Sequence, residues 1–301
     1  MDIGNLISAL PGAAAQGLIW GIMAIGVYLT YRILDVADLT VDGTMATGGA
    51  VCVMLTLAGL PMPVALLASV AVGMLAGLVT GIFHTIMGIP AILAGILTQL
   101  GLWSINLRIL GMANKAISVD KYNLLVSLRY IPRTLITVFI VILLVIGLLY
   151  WFFGTERGCS IRATGANQAM ARAQGINTRF NIVLGLMIST GIVALASALY
   201  SQYQGFADVN SGRGAIVIGL AAVIIGEVLF GKLARNFAVK LFTVAMGGVV
   251  YYLVIQFILW LGLNANDLKL ISALVVAVFL AVPYWRAQHI HAKSRKRKEA
   301  V

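Results

Sequence analysis

Three of the ten acidic residues lie in one short stretch between two apolar runs. They are Asp35, Asp38 and Asp42. Charged side chains are costly in lipid and usually face a cavity or water. Thr40 and Gly43, within and just after this stretch, fit an unwound turn that leads into a short helix. The sequence allows two interpretations: a discontinuous helix that lines a solute path, or a solvated turn whose counter-ion is Arg32.

A second chemically informative segment is the polar and basic stretch Gly154–Arg179, which is too polar to cross a membrane. Within it Asn167 is a favourable N-cap, residues 168–174 favour helix and Gly175 is a natural residue after a helix end. The pattern predicts a two-turn helix. Because so short a helix is marginal in water, we expect either a groove on a partner or the chain's own surface to hold it.

Motifs of membrane enzymes are absent from the sequence. There is no His-Glu-x-x-His, no Gly-x-Ser-x-Gly and no cluster of acids with histidines. Gly231-Lys232 is followed by leucine and lacks the phosphate-cradling loop of nucleotide-binding proteins. We therefore predict no catalytic residues, no metal site and no cofactor in this chain. Glu227 is expected to pair with Lys232 or Arg235.

The elements that position these residues follow from composition. Of 301 residues, 61% are hydrophobic and only 10% are charged, whereas soluble domains carry about 25% charged residues. The apolar runs are too long and unbroken for a membrane β-barrel. Helices must span the membrane, because lipid offers the backbone no hydrogen-bond partner. The predicted fold is an all-α polytopic membrane protein.

Apolar runs long enough to cross the hydrocarbon predict about nine transmembrane helices. They lie near Ala13–Tyr31, Thr44–Gly59, Ala65–Met87, Pro90–Leu107, Thr134–Phe153, Asn181–Tyr200, Gly214–Phe230, Leu241–Gly262 and Leu270–Trp285. The second is short and the fourth carries polar residues. Either of these two is compatible with a re-entrant half-helix.

Basic residues predict the orientation. With nine alternating spans and a cytoplasmic C-terminus, most of the 21 Lys and Arg lie inside, while a minority, including Arg213, lie in outside loops. Residues 1–285 then form the membrane domain, with a cytoplasmic loop at 154–180. Residues 286–301 form a basic cytoplasmic tail, which is interpreted as a topology anchor rather than a nucleic-acid or lipid site.

Small residues recur at four-residue intervals in two predicted helices. One row contains Gly73, Gly77 and Gly81, and the other contains Gly17 and Gly21. Such rows let helix backbones approach closely. They indicate either a mobile or subunit interface, or packing inside one subunit.

Three segments, in chain order, resemble the branched-chain amino acid and ribose class of ABC-importer permeases. Asp38–Gly43 is similar to an Asp-Leu-Ser-Val-Gly segment of that class, and Gly158–Asn167 followed by Gly-Ile-Asn is similar to its cytoplasmic loop. Ala221–Gly231 is similar to an Ala-Ala-Val-Ile-Ile-Gly-Gly stretch, with Glu227 at the second glycine. Within the class, Gln204–Asp208 and the short N-terminus look most like permeases associated with tryptophan- or tyrosine-binding lipoproteins.

The resemblance implies a function and a set of partners. It implies the permease subunit of an importer in the bacterial plasma membrane that moves a small solute by alternating access, with tryptophan or tyrosine as examples. The implied partners are a second permease copy, two ATPase subunits that use ATP and Mg, and an extracytoplasmic substrate-binding protein or lipoprotein. Membrane lipid surrounds the chain, and no nucleic acid is involved.

The resemblance also assigns roles to the polar segments. The loop helix becomes a coupling helix seated in a groove of the ATPase, with a contact set of Arg162, Gly165, Asn167, Gln168, Ala169, Met170, Ala171, Arg172 and Gly175. For the solute path the sequence offers Asp38, Thr40, Asp42, Gln99 and Asn106. The alternative is a secondary transporter or channel that uses Asp35, Asp38 and Asp42 for ion coupling without an ATPase; a scaffold or receptor would show no flux.

Overall fold

The computed structural model describes residues 3–118, 121–231, 236–261, 270, 273–279 and 281. Its helices are α1 Ile3–Tyr28, α2 Thr40–Leu57, α3 Met62–Thr85, α4 Ala91–Leu110, α5 Ile131–Gly154, α6 Glu156–Ala166, α7 Gln168–Ala173, α8 Thr178–Gln204, α9 Ala215–Phe230 and α10 Phe237–Trp260. A π-helical segment, Leu29–Leu34, continues α1. Two short strands, β1 Asn114–Ala116 and β2 Phe206–Asp208, complete the described elements.

Seven of these helices are long and apolar enough to cross a membrane: α1 with its π-helical continuation, α2, α3, α4, α5, α8 and α10. Each coincides with a predicted span, and the all-α polytopic fold is confirmed. The predicted span Gly214–Phe230 is the shorter helix α9, of 16 residues. The predicted span Leu270–Trp285 lies partly outside the described residues; its described residues, 270, 273–279 and 281, are helical. The basic tail 286–301 lies wholly outside them.

The bundle has two distinguishable ends. At one end β1 pairs antiparallel with β2, with Asn114 opposite Asp208. Since β1 follows α4 and β2 follows α8, both of these helices finish at this end, here called the sheet side. The short helices α6 and α7 lie between the end of α5 and the start of α8, at the opposite end. That end is called the α7 side.

Both rows of small residues pack helices within this one chain. A Cβ atom on Gly77 of α3 would come within 2.7 Å of the carbonyl oxygen of Leu186 in α8. A Cβ on Gly21 of α1 would come within 2.7 Å of the carbonyl oxygen of Ala245 in α10. Close backbone approach is how membrane helices gain packing energy. The rows therefore form the interior of a single subunit, and the packing interpretation is confirmed.

Candidate solute path and partner-binding helix

Helix α2 begins beside the second turn of α4, near the α7 side of the bundle. After the π-helical segment, Asp35 adopts a left-handed conformation with φ of 54° and the chain turns back. A Cβ on Gly95 would come within 2.8 Å of the Leu39 nitrogen, and one on Gly43 within 3.0 Å of the Gln99 Cα. Gly95 and Gln99 are the fifth and ninth of the 20 residues of α4. The chain between the π-helical segment and α2 is thus a partly exposed, non-helical turn, and the start of α2 packs on the first half of α4.

Helix α9 begins at the same place, where the carboxylate of Asp42 caps it. The backbone N–H groups of Gly214 and Ile216 donate hydrogen bonds of 3.0 and 2.9 Å to the two Asp42 carboxylate oxygens. Gly214, the N-cap residue, has no side chain to do this. The first N–H groups of a helix need acceptors and favour negative charge. Asp42, which lies in α2, supplies both the acceptor oxygens and the negative charge to the start of α9.

The starts of helices α2 and α9 lie close together. A Cβ atom on Gly212 would overlap the carbonyl oxygen of Asp42, so only glycine fits there. We call Asp42 together with Gly212–Ile216 the junction. Because α9 starts at the junction, the chain from the sheet side must fold back into the bundle to reach it. This re-entrant course was not predicted, since the doubtful spans were the second and fourth.

A cavity of about 370 Å³ adjoins the junction, within the range of small-molecule sites. Its polar and large apolar lining residues are Asp42, Gln99, Leu100, Trp103, Asn106 and Arg213. The side chain of Asn106 is fully buried, and neither of its amide atoms has a hydrogen-bond partner among the described residues. A buried amide without partners is costly. Asn106 is therefore suited to bind a polar group in the cavity.

The lining combines opposite charges, amides and an apolar wall. Arg213 supplies a cation, Asp42 an anion, and Gln99 an amide beside Asn106, while Trp103 adds a partly exposed indole. Such a set can hold a small solute that carries both charges and an apolar part. Three of the five predicted path residues, Asp42, Gln99 and Asn106, line this one cavity.

Two functional candidates at the cavity were missed from the sequence. Arg213 was placed in an outside loop, but it directly precedes α9 at the junction, because residues 205–214 fold inward. Trp103 lies on the same predicted span as Gln99 and Asn106, at four- and three-residue spacing. That spacing puts all three on one helix face, and it is the signal that could have identified Trp103.

The other two predicted path residues, Asp38 and Thr40, are not in the lining of this cavity; they hold the start of α2 against its neighbours. The Thr40 hydroxyl lies 2.7 Å from the Thr80 hydroxyl, which donates to Thr98 at 2.9 Å. One oxygen of Asp38 accepts from the Thr40 N–H at 2.9 Å. Asp38 is only 3% exposed, and its second oxygen has no partner in the described part of the chain.

The three aspartates therefore have different surroundings. Asp35 is exposed, Asp38 is buried and Asp42 caps α9. Arg32 does not serve as their counter-ion; it pairs with Glu227, at 2.9 and 3.2 Å. The predicted partners of Glu227 lie outside the described residues. The segment is a turn between two helices that are each long enough to cross a membrane, and of its three aspartates only Asp35 is exposed. That the segment lines a solute path stays a prediction.

The short helix predicted in the polar loop is present as α7. The Asn167 side chain accepts hydrogen bonds from the N–H groups of Ala169 and Met170, both at 3.0 Å. Gly175 has the positive φ of 78° expected after a helix end. Ala171 is buried, at 3% exposed, whereas Met170 is 65% exposed. Gln168, Ala169 and Arg172 are also exposed.

Helix α6, which was not predicted, attaches α7 to the bundle. Thr155 caps it by accepting from the Gly158 N–H at 3.4 Å. The Asn181 amide at the start of α8 donates to Ser160 at 2.7 Å and to Thr164 at 2.9 Å. At its other end a Cβ on Gly165 would overlap the carbonyl oxygen of Ile33, so α6 packs on the π-helical segment. Gly165, which the family resemblance places in the ATPase contact, therefore packs against the backbone of this chain.

Comparison with known proteins identifies the family. The family model described as the permease component of the branched-chain amino acid transport system matches residues 10–283. The chain belongs to this permease family. It is a transport component and a multi-pass membrane protein. The comparison with solved structures gave no match.

Individual relatives support the assignment. The permease is 39% identical to a tyrosine transport system permease protein of Clostridioides difficile over 275 residues, which cover 91% of each chain. It is 28% identical to the galactofuranose transporter permease of Escherichia coli over 230 residues, which cover 74% of this permease and 64% of the relative. An autoinducer 2 import system permease of Escherichia coli is 28% identical over 72% of this permease and 62% of the relative.

Proposed function

We propose that this permease moves an aromatic amino acid, such as tyrosine or tryptophan, into the cell past the junction, as part of an ATP-driven importer. The observation that carries the proposal is the cavity at the junction, lined by Arg213, Asp42 and Trp103. The tyrosine transport permease that shares 39% identity over nearly the whole chain supports the solute class.

The cavity lining suits a zwitterionic amino acid. The Arg213 guanidinium binds the solute carboxylate, since a planar fork of donors matches a carboxylate. The Asp42 oxygens each accept one backbone N–H and keep further lone pairs for the solute ammonium. The Asn106 amide supplies a donor and an acceptor, and the Trp103 indole packs on the aromatic ring.

Energy enters through partners and not through this chain. We propose that α7, exposed around Met170, seats in a groove of an ATPase subunit that uses ATP and Mg. Two ATPase copies, a second permease copy and an extracytoplasmic substrate-binding protein or lipoprotein complete the importer. The α7 side is then cytoplasmic, as is the C-terminus, in the bacterial plasma membrane. ATP shifts the population between outward-open and inward-open states.

Reconstitution tests the proposal. Vesicles that contain the permease, with its ATPase and binding protein, are loaded with ATP on the α7 side and given labelled tyrosine. We expect ATP-dependent uptake that excess tyrosine or tryptophan inhibits and excess ribose does not. Inhibition by ribose with no effect of either amino acid would reject the solute class.

A second candidate, ion-coupled transport without an ATPase, has one observation in its favour. The buried Asp38 carboxylate has an oxygen without a described hydrogen-bond partner, and buried acids in membranes commonly mark ion or proton pathways. This candidate predicts uptake by vesicles that contain the permease alone, driven by a proton or sodium gradient. Loss of that uptake in Asp38→Asn, with normal protein insertion, would support it.

A further inference from the structure

A basic recess lies on the α7 side, away from the junction. It consists of two cavities of about 380 and 620 Å³ that share Tyr28, Arg32 and Lys240. The smaller cavity is also lined by Arg162, and the larger by Glu227. We call these five residues the basic recess. Each cavity has the volume of a small-molecule site.

Positive charge exceeds negative charge in the basic recess. Glu227 is its one acid among the described residues, and Arg32 already pairs with it at 2.9 Å. Lys240 is exposed and makes no side-chain hydrogen bond or ion pair with the described residues. The Arg162 guanidinium lies over an aromatic ring but faces no described acid. Lys240 and Arg162 therefore have no negative partner among the residues that the structure describes.

The walls of the recess are apolar as well as basic. Arg162 lies 4.3 Å from the ring centroid of Phe237, which lines the smaller cavity together with Ile33. The Tyr28 side chain is almost fully buried, and its hydroxyl has no described hydrogen-bond partner. Arginine on an aromatic ring keeps its N–H groups available at the ring edge for an anion.

The position of the recess indicates the kind of anion. It lies where α1 continues into its π-helical segment and where α10 begins. The ends of membrane-spanning helices are at the depth of lipid headgroups. Basic pockets between transmembrane helices at that depth bind the phosphate groups of acidic lipids. Phe237 and Ile33 give the smaller cavity an apolar patch, against which the first part of an acyl chain can pack and which a free anion does not need.

We propose that the basic recess binds the phosphate headgroup of an anionic phospholipid. Lys240 and Arg162 contact the phosphate, and the Tyr28 hydroxyl donates to it. Arg32 stays paired with Glu227, which limits the charge of the site. Arg162 thereby has a role on the permease itself, separate from the ATPase contact that the family resemblance implies.

Lipid binding to the purified full-length permease in detergent tests this proposal. Phosphatidylglycerol, phosphatidylcholine and inorganic phosphate are added separately, and native mass spectrometry and thermal unfolding are recorded. We expect retained phosphatidylglycerol and a midpoint raised by several degrees, as for any ligand that binds only the folded state, with no effect of phosphatidylcholine. An equal rise with inorganic phosphate would show a free-anion site instead.

Variants locate the binding. Lys240→Gln and Arg162→Gln should each weaken phosphatidylglycerol binding about tenfold, the effect of about 1.4 kcal/mol on an equilibrium constant. Glu227→Gln, which frees Arg32, should strengthen it. Arg172→Gln is the matched control, because it removes an exposed positive charge on the same side but outside the recess. Arg162→Lys keeps the charge if Arg162→Gln fails to fold.

Three results would overturn the proposal. The first is equal retention of phosphatidylglycerol and phosphatidylcholine by the unmodified permease. The second is a loss of binding in Arg172→Gln as large as that in Lys240→Gln. The third is unchanged lipid binding in Lys240→Gln together with loss of the ATPase from the purified complex, which would assign the recess to an acidic protein side chain.

Discussion

Helix α7 and the junction are the two polar regions of this permease, and they are built in opposite ways. The α7 helix is held by its own cap, Asn167, and buries one side chain, Ala171, while Met170 stands out at 65% exposure. The junction is held by contacts between distant parts of the chain, such as Asp42 with Ile216, and it adjoins a partly open cavity. One region offers an exposed surface, and the other adjoins the cavity that we propose as the solute path.

This difference corresponds to two functions of a transport subunit, which are binding a partner protein and moving a solute. An exposed helix whose shape is fixed locally can bind an outside protein without rearranging the bundle. If the junction borders the solute path, as we propose, a movement of either helix start would open or close that path. The two regions are connected by packing, since α6 contacts the π-helical segment at Ile33, which leads into the break before α2.

The largest effect is expected where the junction loses its cap. Asp42→Ala leaves the first N–H groups of α9 without acceptors inside the bundle, which costs about 1–3 kcal/mol. We expect ATP-dependent tyrosine uptake to fall at least tenfold, with ATPase still bound. Uptake by reconstituted vesicles and co-purification with the ATPase measure the two properties.

Matched variants make this result specific. Asp42→Asn keeps one side-chain acceptor and should retain partial uptake, between that of the alanine variant and the unmodified permease. Asp35→Asn, at an exposed position of the same stretch, should transport normally. Normal uptake in Asp42→Ala would show that the junction does not control the path.

The next effect concerns solute recognition at the cavity. Arg213→Gln removes the guanidinium proposed to bind the solute carboxylate but keeps a shorter polar side chain. We expect the half-saturating tyrosine concentration for uptake to rise about tenfold, in line with the value of a charge-assisted hydrogen bond. The control Lys115→Gln removes a half-buried cation on the sheet side. An equal change in both variants would indicate a general effect of surface charge.

A smaller effect is expected at α7, where the contacts are local. Asn167→Ala removes the cap of α7 and should cost about 1 kcal/mol of helix stability. We expect hydrogen exchange of residues 168–174 to speed up several-fold and ATPase affinity to drop by a similar factor. Asn167→Asp, an equally good cap, should restore both. Unchanged exchange in Asn167→Ala would mean that packing and not the cap holds α7.

The smallest effect is expected at the Arg32–Glu227 pair. The two side chains are 55% and 34% exposed, and pairs with this exposure contribute about 0–1 kcal/mol. Glu227→Gln should therefore shift the midpoint of thermal unfolding in detergent by a few degrees at most. A shift of the unfolding midpoint by about 10 °C or more would be about three times the largest shift expected for such a pair. It would show that this ion pair holds α1 and α9 together.

The same contrast explains which features could be read from the sequence. Helix α7 was predicted nearly to the residue, because Asn167 and Gly175 act on neighbours a few positions away. Spans such as α5 follow from apolar length alone. The start of α9 at the junction depends on a hydrogen bond between residues 174 apart. No local pattern encodes such a pair.

Other features were hidden for the same reason. The partner of Glu227 is 195 residues away, at Arg32, so the nearer basic residues were the natural expectation. Arg213 follows several polar residues and reads as a loop charge, and only the inward fold of residues 205–214 brings it to the cavity. Asn106 and Gln99 were identifiable because polar side chains stand out in an apolar run.

The central claim, that α7 is the docking surface of an ATPase, is tested most directly by co-purification. The permease is expressed with its ATPase and isolated by a tag, as the unmodified chain and as Ala169→Trp, which adds bulk on the exposed face of α7. Met112→Trp, at an exposed position on the sheet side, is the control. Ala171→Trp is less informative, because Ala171 is buried and its replacement disturbs α7 itself.

We predict that the ATPase accompanies the unmodified permease and Met112→Trp but not Ala169→Trp, while all three insert and fold equally. ATP-dependent uptake should be lost in Ala169→Trp alone. A permease that purifies without the ATPase and still transports, or an Ala169→Trp variant that retains both the ATPase and uptake, would contradict the account.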